Sequence, residues 1–544
     1  MARIMLIRDF GPSNIPYLAQ ALGIIGTMLS EKSHEVTILD NNSNYIRYST
    51  QQILRKIDEL APDVLGFNIN TFNARKTYQL IDLAKKKWPH IPVLAGGIHM
   101  KYCHKEAAEH QADVVVVNEA ECIIHDLVNA VLGHNGNKAS LVNSVKSIPG
   151  LSYLDENGAY HIGPQETQPV LTNLDEIPFI NYDLFNLNDF IKIKNDSIYL
   201  GFIVSQRGCP YPCNFCSESY LIGNIRENSA DYIIDYINYL NRKYGVTVVG
   251  FGDNNFTLSK KRTTDVCRRI MEGNLNKKFS FYCQTNVKTN VTVDQANMLK
   301  KAGFEYVSLG IERLTEDGKK LINKYIPDDK IQEAIKTLRG SGINVNSNLL
   351  VGFPWDTKEL VLEEQRLFDQ AAPSLAQIQS HVIVPMPGTE YYGNYPVLKE
   401  WYLDESFFKA YDTYFSQVLV VYLGPDILKL NPFNLPRETI NAIKKIYYGS
   451  LIKTYLKRTK NFKGRIFFLI PQLLDLTLAA LSFTTYKISS KLESVLFTRL
   501  KQLRFLLGTK FAVKKIVEAE WDDGINLISP ESTGGQASIG SDFH

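Results

Sequence analysis

The stretch Arg207-Gly-Cys-Pro-Tyr-Pro-Cys-Asn-Phe-Cys-Ser-Glu-Ser219 places Cys209, Cys213 and Cys216 in a C-x3-C-x2-C array directly after the apolar run Tyr199 to Val204. Any fold that accommodates it must bring three thiols onto one tight loop. Three such thiolates hold three corners of a cubane [4Fe-4S] cluster and leave the fourth iron without a protein ligand. A cluster that only carries electrons normally has four cysteines, so the open iron points to a bound small molecule. Closed structural zinc is the main rival, but it needs a fourth Cys or His, usually at short spacing. Neither occurs from Ser217 to Val266. Disulfides fit less well: the 544 residues hold seven cysteines and no signal peptide, which reads as a reduced, cytoplasmic setting.

The length suggests about three domains, and a net charge of +3 is too small to imply a nucleic-acid partner. Up to about Leu132 short apolar runs alternate with helical spacing. Ile4 to Ile7, Glu35 to Asp40, Val64 to Phe67, Pro92 to Ala95 and Val114 to Val117 read as buried strands. Tyr17 to Leu29, Ala74 to Lys87 and Cys122 to Val131 read as helices. Continuous apolar strands separated by helices predict a parallel sheet covered on both faces, with ligands bound beyond the carboxyl ends of the strands. A connector with a small hairpin, around Ile148 to Gly158, is expected next. From Tyr199 to Gly393 six more strand–helix units follow, enough for a partial (β/α)6 barrel and too few for eight strands.

The ordered motifs narrow this α/β reading. Pro92-Val-Leu-Ala-Gly-Gly-Ile-His99 and Val117-Asn-Glu-Ala-Glu121, upstream of the cysteine array, together resemble the cobalamin-dependent radical S-adenosylmethionine (SAM) enzyme family. The resemblance implies a Rossmann-like cobalamin-binding domain over residues 1–135, a connector over 136–198 and a radical SAM barrel over 199–393. A helical C-terminal domain over 394–528 and a disordered tail over 529–544 complete the expected organisation. It further implies that Cys209, Cys213 and Cys216 hold the cluster and that SAM chelates the open iron. Phe215 is expected near adenine, with Gly310, Glu312 and Gly352 facing SAM. Asp253 is left open among substrate, SAM and a helix cap. Gly96, Gly97, His99 and Glu119 are expected to face cobalamin. Two departures bear on that cofactor: the family often has glycine where this chain has Asn118 and Ala120, and no Asp-x-His-x-x-Gly motif is present.

Methyl transfer to an unactivated carbon is the expected reaction, with a radical oxidoreductase, cyclase or carbon–carbon coupling enzyme as the alternative. A non-catalytic cobalamin or redox sensor fits the complete cysteine array poorly. An external electron donor such as flavodoxin or ferredoxin is implied. From Ile443 to Lys515 there are about sixteen Lys and Arg against two acids, around the apolar run Ile466 to Phe483. Pro471, Gln472 and Asp475 make that run a poor membrane span. It suits either a membrane surface on the inner face, which hints at a lipid substrate, or an ordinary buried helix. If the cysteine loop holds the cluster, Cys213→Ala will lose iron and sulfide after anaerobic reconstitution and will not cleave SAM. A full cluster with intact cleavage would remove the assignment.

Overall fold

The structure, a computed structural model, describes residues 1–9, 18–41, 48–134, 136–164, 168–185, 192–193, 197–198, 202–218, 225–289, 291–371, 374–375, 377–394, 401–403 and 433–446. The N-terminal unit runs β1 (Arg3–Arg8), α1 (Gln20–Glu31), β2 (Glu35–Asp40), α2 (Thr50–Leu60), β3 (Val64–Asn68), α3 (Ala74–Lys87), β4 (Val93–Gly96), α4 (Met100–Glu109), β5 (Val114–Val116) and α5 (Ile124–Leu132). After α6 (Lys138–Val145) come β6 (Leu151–Leu154) and β7 (Tyr160–Ile162). The sheet order is β2-β1-β3-β4-β5-β6-β7, with β1 to β5 parallel and β6 and β7 antiparallel. Successive side chains point to opposite faces. Ile4 and Leu6 therefore join the core that includes α1 and α5, while Met5 and Ile7 join the core of α2, α3 and α4.

Three helices of this unit, α2, α4 and α6, escaped the sequence reading. The segment Thr50–Leu60 is mostly polar and buries only Ile53, Leu54 and Ile57, but Ser49 and Gln52 close a capping box at its start. Helix α4 carries no apolar stripe of ordinary length and bends at Cys103 (φ −119°, ψ 28°). The expected hairpin also has a different setting. Its strands add to the first sheet through β5, where Leu151 pairs with Val116 and Ser152 with Val115, all four buried.

Six parallel strands form the second sheet in chain order: Phe202–Ile203, Val248–Phe251, Ser280–Asn286, Phe304–Glu312, Asn344–Val351 and Gln377–Val382. The first and last do not pair, so the barrel is partial. Val307, Leu309, Val345, Leu349 and Val351 lie in the core that also takes in the helices Ala230–Tyr244, Lys260–Glu272, Val293–Lys301 and Asp328–Gly340. The alternate positions Tyr306, Ser308, Asn346 and Asn348 are half-buried and lie on the opposite face of the sheet. After the barrel the chain returns to the first unit. Gly388 passes so close to Tyr102 of α4 that a Cβ there would fall 2.2 Å from its ring. Tyr402, fully buried, inserts beside His99 and Cys103.

Among the described residues no helix is long and apolar enough to cross a membrane. Residues 437–446 are helical. The basic run around Ile466 to Phe483 and the tail 529–544 lie outside the described residues. Phe281 stacks or tilts against Phe251, Phe279 and Phe304 under the barrel. Phe281→Ala is expected to lower unfolding free energy by about 3–5 kcal/mol, read from the denaturant midpoint.

Candidate functional site: a cysteine loop facing a sheet-end crevice

The cysteine loop leaves a two-stranded ribbon in which Gln206–Arg207 pairs antiparallel with Arg226–Glu227. A buried carboxylate fixes its start. Asp253, at the end of the second barrel strand, accepts from Ser205 N (2.6 Å), Gln206 N (3.0 Å) and Ser205 Oγ (2.7 Å), with Arg262 Nη2 at 3.3 Å. Burial raises its pKa, while Arg262 and the Ser205 hydrogen bonds oppose that shift. Of the three roles the sequence left open, this geometry gives Asp253 none: it ties the strand into the loop.

The far side of the loop is also fastened. Asn214 Nδ2 donates to Leu321 O (2.8 Å) and Asn323 Nδ2 donates to Pro212 O (2.7 Å). All three cysteines are free thiols. Burial pushes Cys213 up and Cys216 to about 11. Burial thus opposes thiolate formation unless a metal replaces the protons. The donor set fits a cluster: three soft ligands on one anchored loop, among barrel strand ends.

The strand ends expected to face SAM gather here. Glu312 adopts φ +68°, an uncommon left-handed conformation for a side-chain-bearing residue, and its Oε1 lies 3.2 Å from buried Lys324 Nζ. Lys324 and Glu312 both act electrostatically on Cys213. A Cβ at Gly310 would meet Lys324 Nζ at 2.8 Å, so glycine makes room for the pair. Phe215 packs edge-to-face on Phe353, next to Gly352 (φ +87°). Gly352 N and Phe353 N both donate to Asp356 Oδ2, at 2.7 and 3.0 Å. Asp356 in turn pairs with fully buried Arg313, which also approaches Glu364. Asp356 and Lys324 had no assigned role in the sequence reading, and Arg313, a candidate salt-bridge partner of Glu312 there, pairs with Asp356 instead. The signal for Arg313 and Asp356 was charge within four residues of the strand-end glycines Gly310 and Gly352; Lys324 had none.

A cavity of about 830 Å³ opens beyond the carboxyl ends of β3, β4 and β5. Gly96, Gly97 and Glu119 line it, together with Val204 and Arg207 from the lead-in to the cysteines. At Gly97 (φ +110°) a Cβ would lie 2.5 Å from Ile69 O; at Gly96 it would meet only Val116, at 3.9 Å. Close backbone packing thus requires glycine at 97, whereas glycine at 96 leaves room for a large, mostly apolar ligand against the backbone. Gln168 is on the same lining, and its Nε2 donates to Glu119 O at 2.6 Å. Neither Asn118 nor Ala120 has positive φ, so the loop does not require glycine at either position. Asn118 Oδ1 instead accepts from Lys101 Nζ at 2.6 Å.

Two residues expected at cobalamin have other partners. His99 does not line the cavity; its buried ring contacts Thr71 Oγ1 through Nδ1 (3.1 Å) and faces Glu106 through Nε2 (3.5 Å). Glu106 also accepts from Tyr402 (2.6 Å) and Tyr78 (3.2 Å), which satisfies the carboxylate in place. Glu119 reaches the cavity, but both its oxygens are held: Arg226 Nη1 and Nη2 lie at 2.9 and 2.5 Å and Arg207 Nη1 at 2.9 Å.

The thiol loop for an iron–sulfur cluster and the sheet-end crevice for a large planar ligand thus meet at Val204 and Arg207, which line the crevice just ahead of Cys209. The radical SAM superfamily matches residues 203–367 and the B12 binding domain matches residues 17–128. An uncharacterized methyltransferase of Pyrococcus horikoshii is 30% identical over 373 residues, covering 68% of this chain and 76% of the relative. The hopanoid C-3 methylase of Methylococcus capsulatus is 24% identical, covering 68% of this chain and 67% of that protein. The anaerobic magnesium-protoporphyrin IX monomethyl ester cyclase of Cereibacter sphaeroides is 25% identical, and the chain spans only 57% of its length. In fold, the chain is similar to the radical SAM methyltransferase TsrM from Kitasatospora setae, solved with cobalamin and a [4Fe-4S] cluster (TM-score 0.58, 18% identity, 74% of this chain and 78% of that one). The chain belongs to the cobalamin-dependent radical SAM family, and its cofactors are a [4Fe-4S] cluster, SAM and cobalamin.

The two adjacent glycines separate fold from binding. Gly97→Ala is expected to lose about 1–3 kcal/mol of stability through strain, seen as a lower melting temperature. Gly96→Ala is expected to keep the melting temperature and to retain less cobalamin after gel filtration, because its methyl group projects into open cavity.

Proposed function

We propose that this enzyme methylates an unactivated carbon of a small molecule. The observation that carries the proposal is the shared lining: Val204 and Arg207, just ahead of Cys209, form part of the wall of the cobalamin crevice. A substrate at that junction would meet both cofactors without leaving the protein. When bound, the cluster and SAM supply a hydrogen-abstracting radical and cobalamin supplies a transferable methyl group.

The chain's own residues bind, orient and exclude water. Cys209, Cys213 and Cys216 hold iron. Glu312, kept in place by Lys324, offers its carboxylate to the SAM amino group or ribose, and Phe215 with Phe353 forms an apolar wall for adenine. Asp253 and Asn214 keep the loop from shifting as the thiols exchange protons for metal. An external one-electron donor, flavodoxin or ferredoxin, completes the reaction.

The relatives named for hopanoid and porphyrin substrates support a large, mainly apolar acceptor, and the basic C-terminal stretch would hold the enzyme at an anionic membrane surface. Anaerobic reconstitution with cobalamin and methyl-labelled SAM tests the reaction. The expected result is 5′-deoxyadenosine together with labelled product. Deoxyadenosine without methyl transfer would instead favour an oxidoreductase or cyclase, the activity named for the porphyrin relative.

A further inference from the structure

The ribbon that leads into the cysteine loop has a built-in electrostatic problem. Arg207 and Arg226 sit directly opposite one another across its antiparallel pair. Like charges in that position destabilise a strand pair. The neutralising groups come from the other unit. Glu119 spans both arginines, and Glu121 Oε1 accepts from Arg207 Nη2 at 2.7 Å. All four side chains are at least mostly buried, with 7–21% exposure, so the pairs are shielded from salt and a missing partner would leave a buried charge.

Other bonds hold the carboxylates in register. Gln168 Nε2 donates to Glu119 O (2.6 Å), and Arg226 Nη1 also donates to Leu171 O (2.6 Å). Burial raises the Glu119 pKa, but the hydrogen bonds and charges of Arg226 and Arg207 outweigh it and hold the carboxyl below its usual range. The same short loop therefore lines the crevice on one side and completes the ribbon on the other. Arg207 is separated from Cys209 by Gly208 alone.

We propose that Glu119 and Glu121 are positioning residues: their ion pairs with Arg207 and Arg226 dock the cobalamin crevice onto the cysteine loop and set the spacing between the two cofactors. This rests on the two-cofactor reading above. It assigns Glu119 to the contact between units and not to cobalamin. Because methyl transfer depends on that spacing and SAM cleavage does not, loss of the pairs would uncouple one from the other.

The test uses the full chain with Glu119→Gln and Glu121→Gln combined, reconstituted anaerobically with iron, sulfide, SAM and cobalamin. Cluster and cobalamin contents are expected to match the unsubstituted protein. The dipolar interaction between cob(II)alamin and the reduced cluster in pulsed EPR is expected to weaken. The ratio of methylated product to 5′-deoxyadenosine is expected to fall about tenfold, modest beside the losses that ångström-scale misplacement causes. Without cofactors, amide hydrogen exchange across residues 205–217 is expected to quicken. In the otherwise unsubstituted chain, Arg226→Lys, which keeps the charge and its pair with Glu119, should retain most of the ratio, and Arg226→Met should not.

Unchanged exchange and an unchanged spin–spin interaction in the folded, loaded variant would overturn the proposal. So would selective loss of cobalamin, which would make the carboxylates cofactor ligands. If the unsubstituted enzyme makes no methylated product yet the exchange and spin–spin effects appear, methyl transfer is the part that fails and the docking role stands.

Discussion

The carboxylate of Asp253 carries much of the cofactor site on its own. It is fully buried, and its two oxygens gather two backbone amides, a hydroxyl and a guanidinium around the last residues before the cysteines. A thiol loop that must admit a metal cluster cannot be packed tightly from within. It has to be held at its ends. Asp253 holds the entry, and Asn214 and Asn323 hold the opposite side against the segment at Leu321 to Lys324. Arg313, Asp356 and Glu364 serve the neighbouring strand ends in the same way. Burying such charges gains little stability by itself, but removing any one partner would leave an unpaired charge in a dry interior.

Much of the fold was legible because parallel sheets announce themselves. Strands buried on both faces read as unbroken apolar runs, and all eleven predicted strands appear at their expected places in the two sheets. The cysteine array was equally clear, because its chemistry depends on local spacing. What local sequence conceals is pairing at a distance. Arg207 and Glu121 are 86 positions apart and Arg226 and Glu119 are 107 apart, so Glu119 was expected at cobalamin and the other three had no assigned role until the fold brought them together. His99 shows the opposite error: its place beside Gly96-Gly97 suggested a ligand, but its ring turns to the other face of the sheet and meets Glu106. Asn118 and Ala120 looked like damage to a glycine motif. The backbone conformation there needs no glycine, since neither residue has positive φ.

The two units meet through charge on one side and through aromatic packing on the other. Near the crevice, carboxylates of the first unit neutralise arginines of the second. Behind it, Tyr102 lies against Gly388 and Tyr402 is buried in the core of the first unit. Together these contacts make the spacing between crevice and thiol loop a property of the whole chain, not of either unit alone.

Tyr402 also has a consequence for how the protein is made. It lies 299 positions beyond Cys103, its neighbour in the first core, and 296 beyond Glu106. On a ribosome adding ~5–20 residues per second, that separation is a delay of roughly 15–60 s. Throughout that time the nascent first unit would keep an unfilled slot beside His99 and Glu106. Its core can close only when the barrel has been synthesised, so full packing of the first unit comes late, after the second has been made.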